Sequence, residues 1–284
     1  TVPVVAVGDD DQSIYGWRGA RVENIQRFTE DFKDTLTVRL EQNYRSTATI
    51  LDAANGLIAR NAGRLGKNLW TEGERGDPIT LYAGFNEQDE ARYIVEQAEK
   101  WFSGGEPRRS IAILYRSNAQ SRVLEESLLR EGIPYRIYGG LSFYQRKEIK
   151  DVIAYLRLIL NPKDEEALKR VINYPGRGIG DTTISKLVVA ADQHGCSVFE
   201  VLTKLEPLNV PVNAGLRTKL DNFSTMIQSF QVLNQQYNAF EIAEYVVRHT
   251  GLYQEIKKDG TPEGIARLEN IEELLNGIKD FVEG

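Results

Sequence analysis

Apolar and polar positions change rhythm near residue 139, and that change predicts the architecture. Before it, short apolar runs at 4–7, 36–40, 79–83, 111–115 and 135–138 predict strands. Between them, Ala91, Ile94, Val95 and Ala98 recur at helical spacing, as do Val123, Leu124, Leu128 and Leu129. Ser117 and Gln120 have the spacing of a capping box, and Gly132 supplies a stop for the same helix. Strands alternating with helices imply a parallel sheet covered by helices, the α/β class. From Leu141 onward no strand is predicted. Helical faces follow instead: Ile149, Val152, Ile153 and Leu156, then Ile184, Leu187, Val188 and Ala191, then Ile265, Leu268, Ile271, Leu275 and Ile278. An all-helical part is therefore expected after a hinge near Gly139 and Gly140. No internal repeat or low-complexity segment occurs.

Composition narrows the class. A chain of 284 residues with 41% hydrophobic content is globular and long enough for two domains. One cysteine, Cys196, and two histidines, His194 and His249, exclude a disulfide framework and argue against zinc. His194 and Cys196 flank Gly195 near a helix end, where a surface loop is expected. There is no secretory leader pattern and no apolar run near ~18 residues, so a cytoplasmic protein without a membrane partner is expected. The net charge of −6 argues mildly against a nucleic-acid partner. Local distribution answers this: between Arg108 and Lys150 nine cations face only four anions, a basic footprint in an otherwise acidic chain. A solvated charged face is the plain alternative.

Two segments carry candidate chemistry. Gly8-Asp9-Asp10-Asp11-Gln12-Ser13-Ile14-Tyr15-Gly16-Trp17-Arg18-Gly19-Ala20 follows the first apolar run, so its polar groups fall at the carboxyl edge of the predicted sheet, where α/β folds bind ligands. Gln12 can donate an amide hydrogen to a phosphate oxygen or orient water; capping a turn is the alternative. Tyr15 and Trp17 beside Arg18 offer rings to a base, a contact worth ~1–3 kcal/mol per stacked base; a core tryptophan is the alternative. The second segment, Leu40-Glu41-Gln42-Asn43-Tyr44-Arg45-Ser46, places a ring beside a guanidinium fork that suits phosphate oxygens. An Arg45–Glu41 pair with Tyr44 packed on the next helix reads equally well from sequence alone. The three consecutive aspartates invite a magnesium reading, although carboxylates in such a loop also bond backbone N–H groups.

Together the two segments resemble motifs III and IV of the superfamily 1 DNA helicases of the UvrD/PcrA/Rep type, with wording nearest the UvrD branch. The resemblance extends along the whole chain. It implies the end of a first RecA-like motor domain at 1–40, the first part of a second at 41–138, and an incomplete helical insertion at 139–284. It also implies that Gln12 senses the terminal phosphate, that Arg45 contacts the γ-phosphate and that Tyr44 contacts the adenine. Tyr15, Trp17 and Arg18 are placed on the DNA path, and the family's metal is held elsewhere, so no metal ligand is assigned here.

Three further segments match the family. Tyr115-Arg116-Ser117-Asn118 resembles a single-strand contact motif, with Arg116 and Asn118 as contacts at a strand–helix corner. Arg146-Lys147-Glu148-Ile149-Lys150-Asp151 keeps the pattern opening the helical domain, where Arg146 or Lys150 is a DNA contact or part of a solvated face. Arg177-Gly178-Ile179-Gly180-Asp181-Thr182 resembles the turn that grips duplex DNA, implicating Arg177, Gly178, Gly180 and Thr182.

The sequence has no G-x-x-x-x-G-K-[ST] phosphate loop and no strand ending in Asp-Glu before motif III. The family carries both upstream, so the chain reads as a central fragment that alone does not hydrolyse ATP. The resemblance implies an intact 3′-to-5′ DNA helicase that uses ATP and Mg²⁺. Its implied partners are single-stranded DNA, duplex–single-strand junctions and, in repair or replication, other proteins. A non-enzymatic DNA- or partner-binding module and a helicase–nuclease are the alternatives.

Overall fold

Helix is the dominant regular structure among the residues described by the computed structural model, which are 4–12, 21, 23–61 and 63–283. The chain forms two units, Thr1–Ala83 and Gly84–Gly284. The first contains a 3₁₀ turn at Asp10–Gln12, short helices α1 (Glu23–Gln26) and α2 (Phe28–Asp31), and α3 (Ala48–Ile58). The start of α3 is capped by main chain: the N–H groups of Ala48 and Thr49 donate to the carbonyls of Glu74 and Arg75, at 3.2 and 3.0 Å. Farther along, Asn55 binds Leu69 twice, donating to its carbonyl at 2.8 Å and accepting from its N–H at 3.1 Å. This side chain holds residues 64–70 against the helix.

The second unit comprises α4 (Glu87–Ser103), α5 (Ser121–Arg130), α6 (Lys147–Leu160), α7 (Glu165–Val171), α8 (Asp181–His194), α9 (Val198–Thr203), α10 (Ala214–Leu233), α11 (Ala239–His249), α12 (Leu252–Lys257) and α13 (Pro262–Glu283). Its largest core gathers α6 to α11 around Tyr155, Leu168, Leu187, Leu220, Phe223 and Phe230. A second core joins Phe143, Ile149 and Val152 to Val247, Leu252 and Ile271. The face read at 149–156 is therefore an interior one. The predicted capping box at Ser117 and Gln120 is present, and Gly132 takes a left-handed φ of 63° at the end of α5. Gly195 ends α8 in the same way, with His194 exposed beside it.

The predicted parallel sheet is not formed among the described residues. They contain no strand, only an isolated parallel bridge between Gln42 and Trp70. The segments at 111–116 and 133–138 keep the strand signature in their side chains, which alternate between the interior and solvent. Ile113 and Tyr135 pack on Val95, Leu128 and Ile133, whereas Leu114 is 91% exposed. Val5, Val7, Leu36, Val38 and Leu40 are also exposed. Alternation is a local property, but a strand is held by ladder hydrogen bonds to neighbours, and these runs have no ladder partner among the described residues.

The expected hinge at Gly139 and Gly140 is spanned by buried and partly buried polar contacts. Glu125 on α5 accepts from the Phe143 N–H at 3.0 Å, from the Tyr135 hydroxyl at 3.0 Å and from the Ser142 hydroxyl. Arg122, 4% exposed, pairs with Glu126 on its own helix at 3.0 Å and with Glu273 on α13 at 2.8 Å. Gly277 makes room for that guanidinium, because a Cβ there would lie 2.6 Å from Arg122 Nη1. No helix among the described residues is long and apolar enough to cross a membrane.

Candidate nucleotide and nucleic-acid sites

The first unit builds a polar site around two turns. Asp9, Asp10 and Asp11 precede Gln12, and three adjacent carboxylates repel one another unless donors reach them. Residues 64–67 supply those donors. Arg64 makes a two-pronged contact with Asp11, Nε to Oδ1 at 2.9 Å and Nη2 to Oδ2 at 2.8 Å. The Leu65 N–H donates to Asp10 at 2.8 Å, and Lys67 pairs with Asp9. Asp9 also accepts from the Asp11 N–H at 3.1 Å and from the Gln12 side-chain amide. The carboxylates thus secure the loop and are engaged by the protein's own donors, as the loop-fixing reading expects. Arg64 holds the Asp11 carboxyl below its ordinary value despite partial burial. For Asp9, burial pushes upward but is outweighed by Lys67 and Gln12, so its carboxyl is also lowered.

The second half of the same segment holds the other turn. The Asn68 N–H donates to Glu41 Oε1 at 3.0 Å, Asn43 N–H to the Trp70 carbonyl at 2.7 Å, and Trp70 N–H to the Glu41 carbonyl at 3.0 Å. Asn43 Oδ1 then accepts from the N–H groups of Arg45 and Ser46 at 2.9 and 2.8 Å, closing an Asx-type turn before α3. That turn leaves Tyr44 85% exposed, its hydroxyl bonded to Gln42 at 2.7 Å, and leaves the Arg45 side chain exposed. Among the described residues Arg45 forms no ion pair, and Glu41 is engaged by Asn68 instead. Residues 64–70 therefore grip both the Gln12 turn and the Tyr44–Arg45 turn. Sequence reading missed Arg64 and Lys67; the demand of three neighbouring aspartates for cations was the only available signal. Tyr15, Trp17 and Arg18 lie outside the described residues.

In the second unit, Arg116, Asn118 and Lys150 are exposed, with Gln120 Oε1 accepting from the N–H groups of Arg116 and Ser117 at 2.9 Å each. Arg146 is different. Expected on a surface face, it is 8% exposed and donates to the Asn118 carbonyl at 2.7 Å, Asn270 Oδ1 at 2.9 Å and Ser121 Oγ at 2.8 Å. Its donors are consumed internally because α13 closes over it. Arg122 is likewise buried, so two of the nine cations of the basic stretch do not belong to a surface footprint.

Arg177 also turns inward. It donates to the carbonyls of Val171 at 2.9 Å and Thr250 at 3.1 Å and to the Tyr155 hydroxyl at 2.8 Å. Burial raises the Tyr155 hydroxyl to about 12, with the Arg177 charge partly offsetting it. The expected phosphate contact by this guanidinium is thus replaced by a fastening of the turn. What faces outward is the turn itself: Gly178, Gly180 and Thr182 are exposed, and no side chain caps the N-terminus of α8. Gly178 has φ +70°, and Lys219 Nζ lies 2.5 Å from where its Cβ would stand. The left-handed φ favours glycine there, and the exposed Lys219, whose flexible end can shift aside, brings a cation to the turn that sequence reading missed.

Comparison with known proteins agrees with the motif resemblance. Residues 2–33 match the UvrD/REP helicase N-terminal domain, and residues 38–283 match the UvrD-like helicase C-terminal domain. The chain is 49% identical to DNA helicase II of Haemophilus influenzae and 47% identical to DNA helicase II of Escherichia coli, over 99% of its length in each case. It is 43% identical over 97% of its length to the ATP-dependent DNA helicase PcrA of Bacillus subtilis. It spans 38%, 39% and 37% of these relatives, respectively. With the C-terminal family description covering residues 38–283, well over half of the chain, the chain belongs to the UvrD-like helicase family.

Proposed function

We propose that this chain is the central part of an ATP-dependent DNA helicase that translocates 3′ to 5′ and unwinds duplex DNA in repair or replication. The observation that carries the reading is the clasped pair of turns in the first unit, which leaves Gln12, Tyr44 and Arg45 exposed on a braced loop framework. Names of relatives over 40% identical support it. An exposed guanidinium with no ion pair among the described residues, beside an exposed ring, suits a nucleoside triphosphate: Arg45 would bind the γ-phosphate, Tyr44 would stack on the base, and Gln12 would bind the terminal phosphate or orient water. ATP, when bound with Mg²⁺, supplies the free energy of phosphoanhydride hydrolysis. The three aspartates, engaged by Arg64, Leu65 and Lys67, are not assigned to the metal.

The domain reading is 1–40 and 41–138 as motor-domain portions and 139–284 as a helical insertion. The strand-like runs, each with exposed apolar side chains, would complete RecA-like parallel sheets with the rest of the motor domains. Tyr15, Trp17, Arg18, Arg116 and Asn118 form the single-strand track in this reading. Lys150 with the 178–182 turn faces duplex at a junction, where Lys219 supplies charge. Repair proteins as partners and a cytoplasmic location accompany the same reading.

The test is Arg45→Ala in the full-length protein. DNA-stimulated ATP turnover should fall by roughly 10³-fold or more, while single-strand affinity stays nearly unchanged. Unaltered turnover would remove Arg45 from the nucleotide site and the reading with it.

A further inference from the structure

Gln12 does not stand alone in its turn. Its amide faces Asp9 Oδ2, and a carboxylate oxygen only accepts, so the atom facing it is Nε2. Gln12 Oε1 and the second Nε2 hydrogen are thereby directed away from Asp9. The Asp9 carboxylate is itself held at its other oxygen by the Asp11 N–H at 3.1 Å and by the Lys67 ammonium. Lys67 is 18% exposed and Asp9 31%, so the pair is partly shielded from solvent. Lys67 is then steadied from both sides: its carbonyl accepts from Arg64 Nη2 at 2.8 Å, and the following N–H, that of Asn68, is fixed on Glu41. A chain of contacts therefore runs from the 64–70 segment through Lys67 and Asp9 to the amide plane of Gln12.

From this arrangement we infer that Lys67 is a positioning residue for ATP hydrolysis, acting through Asp9 to set the orientation of the Gln12 amide. The inference rests on the proposed role of Gln12. An unrestrained glutamine has three rotatable side-chain bonds and a terminal amide that presents donor or acceptor with similar ease. A charge-assisted contact on Asp9 selects one presentation in advance. Removing Lys67 leaves Asp9 to turn toward solvent and releases Gln12 from its preset plane. Ground-state binding of the nucleotide by Arg45 and Tyr44 does not depend on that plane, so the loss belongs to kcat rather than to KM.

The experiment is a double-mutant cycle in the full-length protein, with steady-state ATP hydrolysis on saturating single-stranded DNA and thermal melting of every variant. Gln12→Ala should lower kcat strongly. Lys67→Ala should lower kcat about ten-fold or more, with KM for ATP, single-strand affinity and Tm close to wild type. In the Gln12→Ala background the same change should cost nothing further. Lys67→Arg should recover most of the loss, and Asp9→Asn, which keeps the shape but removes the charge that holds Lys67, should reproduce it. An equal loss in both backgrounds would show a general structural role and overturn the inference, as would full activity of Lys67→Ala while Gln12→Ala is impaired. If Lys67→Ala does not fold, the Asp9→Asn cycle with Gln12→Ala decides on the same criteria. Normal kcat in Gln12→Ala alone would instead overturn the assignment of Gln12, and this inference with it.

Discussion

Arg146 Nη1 and Asn270 Oδ1, 124 residues apart in the chain, meet at 2.9 Å in the interior of the second unit. Asn270 in turn donates to Glu148 Oε1 at 2.6 Å, so one amide joins a buried cation to a buried anion. Removing one member strands the others without solvent. Arg146→Ala should therefore cost about 3–5 kcal/mol of stability, read as a lowered urea midpoint at constant slope. A stability near wild type combined with weakened single-strand binding would return Arg146 to the DNA surface.

Arg177→Ala separates fastening from phosphate contact. Losing its bonds to Val171, Tyr155 and Thr250 should destabilise the second unit by about 1–3 kcal/mol. The salt dependence of junction binding should keep its slope, because the guanidinium spends its donors inside. Lys219→Ala should do the reverse, leaving the melt nearly unchanged and lowering the slope by about one unit. Salt titrations on a duplex–single-strand junction check both, and a slope reduced only by Arg177→Ala would refute the exchange of roles.

The Asp11–Arg64 pair has a defined pH signature. Arg64 holds the Asp11 carboxyl below its ordinary value of 3.8. A depressed folded-state pKa means that the stabilisation is complete above 3.8 and is lost as the pH falls through the lower folded value. The clasp should thus be insensitive to pH across the neutral range. A carboxyl chemical-shift titration should place Asp11 below 3.8 and move it upward in Arg64→Ala. An Asp11 that titrates identically in both proteins would show that the pair does not form.

Helical architecture after residue 139 was legible because helix formation is local. The apolar spacing at 149–156 marks an interior face, and Ser117, Gln120 and Gly132 mark the ends of one turn and helix through hydrogen bonds no more than a few residues long. The strands predicted before residue 139 were legible only as alternation. The 111–116 segment keeps that alternation, yet a ladder depends on neighbours that no local pattern supplies.

The sequence by itself determined the candidate chemistry: an amide at Gln12, a ring and fork at Tyr44 and Arg45, and a glycine turn at 178–180. It also determined the family, because ordered motifs are linear objects. Which cations face outward was decided only by tertiary structure. Arg146 and Arg177 have the composition of DNA contacts, but α13 covers the first, and the second turns onto Tyr155 and the Thr250 carbonyl. Lys67 and Lys219 have no motif around them: Lys67 is held by Asp9, far along the chain, and Lys219 lies beside the turn at Gly178. A side chain's charge is written in one letter, whereas its direction is set by whichever distant groups satisfy it when the chain closes.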